Sequence, residues 1–363
     1  MTTTAPIVET VTLRGWVLRF AERLTTPLAP ADYLDVIDPL RSGARLRGRI
    51  VGIEPETPDA VTVVIKPGRG WRTHIPGQYV RIGVDVDGVR RWRAYSLTST
   101  TDRADGCITI TVKAIPDGIV SNFLVRRASP GTLLQLDQAA GDFVLGDPAP
   151  GKVLFLTAGS GITPVMGMLR NMPTGAWSDV VVVHCALTAS DVIFGAELRM
   201  LANQNRIRLV EILTDVDGLL EIGTLGNLVG DIAERHTWAC GPAGLLDAVE
   251  THWTAEGIAD RLHTERFRAA LTGIGEGGAV TFTTTGTTVD NDGAQSLLDA
   301  GESAGVLMPS GCRMGICFGC VAPLRRGAVR DLRTGEVTTA SEGDGVVVQT
   351  CISAAAGPCD IDL

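Results

Sequence analysis

Four cysteines near the end of the chain are spaced as ligands of an iron–sulfur cluster. Cys312, Cys317 and Cys320 follow one another with four and two intervening residues, and Cys351 comes 30 intervening residues later. Thiolates at this spacing hold a [2Fe–2S] cluster, with three of them supplied by a single loop. Structural zinc, the alternative, is usually bound by pairs of ligands two to four residues apart. The spacing therefore favours iron and sulfide over zinc.

A second group of residues, between 159 and 164, is suited to binding a dinucleotide. Gly159, Ser160 and Gly161 follow an apolar run and precede a helical one. In that context glycines let the backbone approach a pyrophosphate, which the free amides of a helix N-terminus can bind. Thr163 continues the motif, and Pro164 suits the first helical position because it has no N–H group.

Three patterns of secondary structure position these residues. Residues 41–148 contain short alternating strands separated by Gly, Pro and Asp, which predicts an antiparallel β-barrel. In residues 149–267 apolar strands alternate with helices, which predicts a doubly wound parallel sheet of the α/β class. Residues 268–278 have the glycine-rich composition of a linker. Short strands and one short helix follow in residues 279–363, so the chain is predicted to be multidomain.

Residues 1–40 are predicted to form a separate helical extension. Leu13, Trp16, Val17, Phe20 and Leu24 recur at helical spacing. One interpretation is that this amphipathic helix packs on its own protein. The other is that it lies on anionic lipid at the inner face of the membrane, or docks on a membrane-bound partner.

Composition excludes several classes of protein. The chain has 363 residues and a formal net charge of −9, whereas a nucleic-acid partner requires a basic face. The longest uncharged stretch, residues 153–169, falls short of the roughly 20 apolar residues of a membrane span. The first residues lack the basic patch and apolar run of a signal peptide. We therefore expect a cytoplasmic protein, whose eight cysteines do not form a disulfide framework.

The C-terminal cysteine region closely resembles plant-type ferredoxins. Besides the four cysteines, the resemblance rests on the neighbouring residues 309–320 and on the run 349–353. It implies a β-grasp fold, of the α+β class, for residues 279–363. It also implies that Cys312, Cys317, Cys320 and Cys351 are the iron ligands.

Arg93, Tyr95 and Ser96 resemble the flavin motif of the ferredoxin–NADP reductase superfamily. The resemblance implies that Arg93 binds a flavin phosphate through a forked pair of hydrogen bonds. It implies that Tyr95 packs against the flavin ring, and that Ser96 has a catalytic role beside flavin N5. A second loop of that superfamily binds the flavin phosphates, and the residues that fit it here are Lys113, Gly118, Val120 and Ser121.

Cys240, Gly241 and Pro242 resemble the late Cys-Gly-Pro signature of the same superfamily. There the cysteine lies beside the nicotinamide, so the resemblance implies a catalytic role for Cys240 and a coenzyme-binding role for all three residues. The glycine loop described above resembles the one that opens the superfamily's nicotinamide domain. Glu265 and Phe267 resemble the acidic and aromatic end of that domain.

The order of the three units resembles the fused reductases that supply bacterial oxygenases with electrons. It implies NAD(P)H, FAD and a [2Fe–2S] cluster as cofactors. A nicotinamide releases two electrons together and the cluster accepts one at a time, so a flavin, which can do both, must lie between them. We therefore expect an NAD(P)H-dependent oxidoreductase that passes electrons to an acceptor protein.

Three functions stay open, two of them distinguished by the protein that accepts the electrons. Residues 32–40 and 47–50 look closer still to actinobacterial reductases that serve membrane-bound acyl-CoA desaturases, and we expect a desaturase as the acceptor. The first alternative is the reductase component of a soluble multicomponent oxygenase. The second is a regulatory protein without enzymatic activity that binds zinc.

The choice of coenzyme and flavin also stays open. Arg206 and Arg208 favour the 2′-phosphate of NADPH, whereas Asp215, after Thr214, would repel it. FMN is an alternative to FAD because the sequence shows no sharp adenine-binding motif.

Charge is unevenly distributed along the chain. Residues 279–363 have a net charge of −5, and residues 41–100 have a net charge of +6. We expect the acidic ferredoxin-like unit to dock on the basic flavin unit.

Overall fold

The computed structural model describes residues 38–41, 46–116, 118–172, 179–267, 275–311, 313, 315 and 318–363. The helix predicted within residues 1–40 lies almost entirely outside the described residues, and so do Cys312 and Cys317. Among the described residues, no helix combines the length and the apolar run that a membrane crossing needs.

The first sheet is antiparallel and closes on itself. Its strand order is β4-β3-β6-β1-β2-β5, and an isolated bridge between Leu97 and Ile110 joins its two edges. Alternating apolar residues of the strands face one buried core, as in a small barrel. The strands are β1 (Arg47–Thr57), β2 (Ala60–Pro67), β3 (Tyr79–Val86), β4 (Val89–Ser96), β5 (Ile108–Lys113) and β6 (Leu133–Leu136). The predicted antiparallel barrel is therefore confirmed.

A helix that the sequence analysis did not predict lies between β5 and β6. This helix, α1 (Ile119–Arg126), packs Val120 and Leu124 into the barrel core. It has only eight residues, too few for a clear helical period of apolar residues.

The second sheet is parallel throughout, with helices on both faces. Its order is β11-β10-β7-β8-β9. The strands are β7 (Lys152–Ala158), β8 (Asp179–Ala186), β9 (Arg208–Leu213), β10 (His236–Cys240) and β11 (Leu262–Glu265). The helices are α2 (Ile162–Asn171), α3 (Gly195–Asn203), α4 (Leu225–Leu228) and α5 (Ala243–Ala255). Helices α2 and α3 share one apolar core, and α4 and α5 share the other. The predicted doubly wound arrangement is confirmed.

The C-terminal sheet is mixed and carries one helix. Strand β12 pairs in parallel with β17, and antiparallel neighbours extend the sheet to the order β13-β12-β17-β14-β15, with β16 on β14. The elements are β12 (Gly278–Phe282), β13 (Thr287–Asn291), α6 (Leu297–Ser303), β14 (Val321–Asp331), β15 (Val337–Ala340), β16 (Val347–Gln349) and β17 (Ser353–Ile361). Helix α6 buries Leu297 and Leu298 against this sheet, as the α+β prediction requires. Residues 275–278, the described end of the predicted linker, bond to this sheet as well.

Helix α2 connects the parallel sheet to the barrel. Its Arg170 donates a 2.7 Å hydrogen bond to the carbonyl of Thr98, and Asn171 donates one of 3.0 Å to the carbonyl of Ser99. On the same helix, a Cβ atom added to Gly167 would lie 2.3 Å from the carbonyl oxygen of Leu97. The helix therefore lies in backbone contact with the segment that directly follows β4.

We expect Gly167→Ala to lower the melting temperature, because the added methyl group must push α2 away from Leu97. Overpacking of this kind costs about 1–3 kcal/mol. Gly244→Ala in α5 is the matched control, since its Cβ meets nothing within 4 Å. That substitution should be neutral or stabilising by about 0.5 kcal/mol. Equal melting temperatures for the two variants would contradict the close contact.

Candidate active site

One cavity of about 640 Å³ is lined by residues from the barrel, the parallel-sheet unit and the C-terminal unit. Arg91, Arg93, Tyr95 and Ser96 reach it from β4, the strand that pairs with β3 along the barrel. Burial, together with the nearby Arg313 guanidinium, lowers the pKa of Arg93 to about 10. Burial also raises the pKa of the Tyr95 hydroxyl, so the ring is uncharged at neutral pH.

The predicted phosphate-binding loop forms the start of α1. Gly118 is the N-cap, and Val120 and Ser121 are buried in the first turn at the cavity. Ser121 Oγ donates to the Gly118 carbonyl at 3.2 Å. The first amides of a helix have no partner within the helix and favour an anion. Lys113 also lines the cavity, but its ammonium group is paired with Asp59 at 2.7 Å.

The glycine loop forms a 3₁₀ turn, Gly159–Gly161, between β7 and α2. A Cβ atom on Gly161 would lie 2.0 Å from the Cys240 carbonyl oxygen, so only glycine allows this approach. Thr163 Oγ1 donates to the Ser160 carbonyl at 2.9 Å, and both residues line the cavity. Pro164 is the third helical residue, not the first, because α2 already begins at Ile162. The first turn tolerates proline there, since its amides have no intrahelical acceptor.

Cys240 ends β10, with Thr157 of β7 on one side and Glu265 of β11 on the other. Its side chain is fully buried. Burial, and to a lesser extent the charge of Glu265, raises the pKa of the thiol well above its usual value. Gly241 follows in the loop, and Pro242 is the N-cap of α5. Glu265 and Phe267 line the cavity, and burial raises the pKa of the Glu265 carboxyl to about 8.

Two of the four predicted iron ligands are described, and they lie side by side. The Sγ atoms of Cys320 and Cys351 are 3.1 Å apart, and both side chains are buried. Thr350 ties the two segments together, because its hydroxyl donates to the Cys320 carbonyl at 3.0 Å. The two side chains converge on one point, as neighbouring thiolate ligands of a metal ion must. Cys351 also lines the cavity, so the predicted cluster site adjoins the predicted flavin site.

The C-terminal unit contributes charged residues that the sequence analysis did not select. Arg313 bonds to Asp299 at 2.9 Å and to Glu302, and all three line the cavity. Asp299 and Glu302 share the cavity with Arg91 and Arg93, but both carboxylates pair with Arg313 of their own unit, so the docking of acidic on basic residues stays a prediction. One signal for Arg91 was available, since it lies two residues before Arg93 on the same face of a strand.

Buried polar atoms around the cavity test whether these residues fit a flavin. Arg91 Nε, Arg313 Nε, Ser96 Oγ and Glu265 Oε2 are buried and have no hydrogen-bond partner within the described part of the chain. Buried polar atoms rarely stay unpaired, so a polar ligand is expected to meet them. The Tyr95 ring offers a flat face for the flavin ring. The cationic groups and the helix N-terminus suit the flavin phosphates. The residues fit the cofactor.

Comparisons with known proteins agree with this geometry. Residues 72–145 match the family model of the oxidoreductase FAD-binding domain. Residues 280–356 match that of the 2Fe-2S iron-sulfur cluster binding domain. The zinc alternative of the sequence analysis is therefore set aside.

Similar proteins extend over most of the chain. An NADPH oxidoreductase from Mycobacterium tuberculosis is 50% identical over 357 residues, which is 96% of this chain and 93% of that protein. A glycine betaine monooxygenase reductase subunit from Pseudomonas aeruginosa is 29% identical, covering 76% of this chain and 84% of its own length. The solved phthalate dioxygenase reductase has a TM-score of 0.61 at 21% identity, covering 88% of this chain and 98% of its own. That last likeness concerns the fold.

We expect Glu265→Gln to change how stability depends on pH. The folded carboxyl has a pKa of about 8, above its ordinary value of 4.5, so folding retains a proton between these values. Wild-type stability should therefore fall, relative to the variant, as pH rises from about 5 to 8, and the difference should then level off. Melting temperatures across this range measure the effect, with Glu256→Gln on the exposed end of α5 as the control. A pH-independent difference would contradict the raised pKa.

Proposed function

Since the chain belongs to the ferredoxin-reductase-type family of NAD(P)H-dependent FAD and [2Fe–2S] oxidoreductases, we propose that it is the reductase component of an oxygenase system. The observation that carries the proposal is the single cavity that joins the flavin motif, the coenzyme loop and Cys351. Electrons enter from NAD(P)H, pass through FAD to the cluster and leave to a partner protein.

Each group of residues has a distinct part in this transfer. Bound FAD supplies the conversion from a two-electron donor to a one-electron acceptor. Arg93 and the N-terminus of α1 hold its phosphates, and Tyr95 covers the ring. Ser96 and the neutral Glu265 offer buried hydrogen-bonding groups where the nicotinamide meets the flavin. Cys240 packs behind this point and supports the glycine loop through its carbonyl.

An oxygenase is the acceptor that the similar proteins favour over a desaturase. The relative from Pseudomonas aeruginosa is the reductase subunit of a monooxygenase. The name of the relative from Mycobacterium tuberculosis gives its coenzyme but no acceptor protein. The desaturase therefore stays a prediction. Residues 1–37, on which docking to a membrane would depend, lie outside the described residues.

Flotation with anionic liposomes separates the two acceptors. An oxygenase reductase should stay in the soluble fraction whether or not residues 1–40 are present. Flotation of the full chain that is lost on deleting residues 1–40 would favour the membrane-bound desaturase instead. The deleted form must still carry flavin and cluster spectra, which controls for damage to the fold.

We infer that NADPH is the preferred coenzyme, because the relative that shares half of this chain's residues is an NADPH oxidoreductase. Anaerobic titration of the purified protein with NADPH and with NADH tests the coenzyme and the electron path together. The flavin and cluster absorbances should both bleach, at lower concentrations of NADPH than of NADH. Bleaching of the flavin alone would contradict transfer to the cluster, and protein without iron and acid-labile sulfide would contradict the whole proposal.

We expect Cys351→Ser to abolish cytochrome c reduction while ferricyanide reduction by the flavin continues. The substitution removes a thiolate ligand, whereas the flavin motif on β4 is untouched. Cys359→Ser is the matched control, because this thiol is also buried in the C-terminal core but lies on β17 outside the ligand pattern. Equal loss of both activities in Cys351→Ser would contradict the order flavin, then cluster.

A further inference from the structure

We propose that the outward face of the β14–β16 strand pair, together with Phe318, is the surface on which the acceptor protein docks to receive electrons. The surface, called the exit face below, consists of Phe318, Val321, Pro323 and Val347. Its partner is a protein with an apolar contact surface surrounded by basic side chains. The inference rests on the proposed function, because it concerns where electrons leave.

Phe318 is an exposed aromatic residue close to the predicted cluster ligands. It lies between the predicted ligands Cys317 and Cys320, and 67% of its surface is exposed. Its backbone has a positive φ of 55°, which is unfavourable for a bulky residue without a compensating role. Strain and an exposed aromatic ring at a cluster-binding loop indicate a contact with another molecule.

The neighbouring pair of strands, β14 and β16, extends this apolar surface. Pro323 of β14 pairs with Val347 of β16, and Val347 is 59% exposed. The intervening Ala322 and Val348 are buried in the core, so alternation directs Pro323 and Val347 outward. Val321, half-buried on the same face as Pro323, connects them to Phe318, whose carbonyl accepts a bond from its amide at 3.4 Å.

Acidic side chains lie beside one end of the exit face. The turn before β16 carries the exposed Glu342 and Asp344. The nearby Arg325 and Arg326 are bound by Asp362 at 2.6 Å and by Asp360 at 2.9 Å, so their charge is compensated. The whole segment 279–363 has a net charge of −5. A basic partner is therefore complementary, and steering by charge would speed its approach.

The exit face is separate from the side on which electrons enter. Cys351 and Arg313 line the cavity shared with the flavin motif, whereas none of the four exit-face residues does. An acceptor can therefore reach the cluster loop while the flavin unit stays in contact with it. Entry and exit on different sides let one cluster be reduced and oxidised without undocking.

The test uses the full-length protein that carries flavin and cluster, and it measures two electron-transfer steps separately: reduction of the cluster and transfer to an acceptor. Stopped-flow absorbance measures reduction of the cluster by NADPH, and steady-state assays measure the KM for cytochrome c, a basic protein used as the probe. Ferricyanide, a small anion that needs no docking surface, is the second acceptor. The variants are Phe318→Ser, Phe318→Tyr and Val347→Ser, and the control is Met200→Ser, an apolar residue on α3 that is 48% exposed.

We expect Phe318→Ser to raise the KM for cytochrome c about tenfold, as truncation of an aromatic contact residue does. Val347→Ser, which lies away from the ligand loop, should raise it about threefold even if Phe318→Ser disturbs cluster binding. Phe318→Tyr and Met200→Ser should stay at the wild-type value. Reduction of the cluster by NADPH and of ferricyanide should not change in Val347→Ser.

Three results would overturn the inference. An unchanged KM in both Phe318→Ser and Val347→Ser would remove the docking surface. A self-associating wild type that becomes monomeric in these variants would assign the face to a second copy of this chain. Slower cluster reduction in Val347→Ser would assign the β14–β16 strand pair to electron transfer within the chain. A protein that never reduces its cluster fails the proposed function instead, so the two failures are distinguishable.

Discussion

Two close backbone contacts fix the position of α2, one against β10 of its own sheet and one against the barrel segment that follows β4. At one end of the helix Gly161 lies against the Cys240 carbonyl, and in its middle Gly167 lies against the Leu97 carbonyl. A side chain at Gly161 would push the glycine loop away from β10 within the parallel-sheet unit, whereas one at Gly167 would separate that unit from the barrel by the width of a methyl group. Because hydride transfer requires reacting atoms at about 3–3.5 Å, a shift of this size matters more than most losses of packing. The remaining contacts of the active site depend on this spacing.

The electrostatics of the cavity follow from what each unit contributes. The barrel supplies Arg91 and Arg93 together with the amides of α1, which suit an anion. The C-terminal unit supplies Asp299 and Glu302, and Arg313 between them limits repulsion of that anion. The parallel sheet supplies Glu265, which burial keeps protonated at neutral pH. A cavity with several charged walls can therefore hold a negatively charged cofactor beside a carboxyl group.

Much of the fold and part of the site could be predicted from local sequence. The cysteine spacing, the glycine loop and the alternation of strands and helices each depend on residues close in the chain, and the confirmed sheets follow from them. Helix α1 is too short for its period to be seen. Arg313, Asp299 and Glu302 join the site only because the C-terminal unit docks on the barrel, a contact between residues about 200 positions apart that no local pattern encodes.

The parallel sheet protects the thiol of Cys240 from oxidation. Reduced flavoproteins can lose electrons to dioxygen, and the peroxide that forms attacks thiolates much faster than thiols. The Cys240 side chain is inaccessible, and burial is the main cause that raises the pKa of its thiol and so keeps it protonated. Stray oxidant formed during idle turnover would therefore attack thiolates of the cluster site before it attacked the Cys240 thiol.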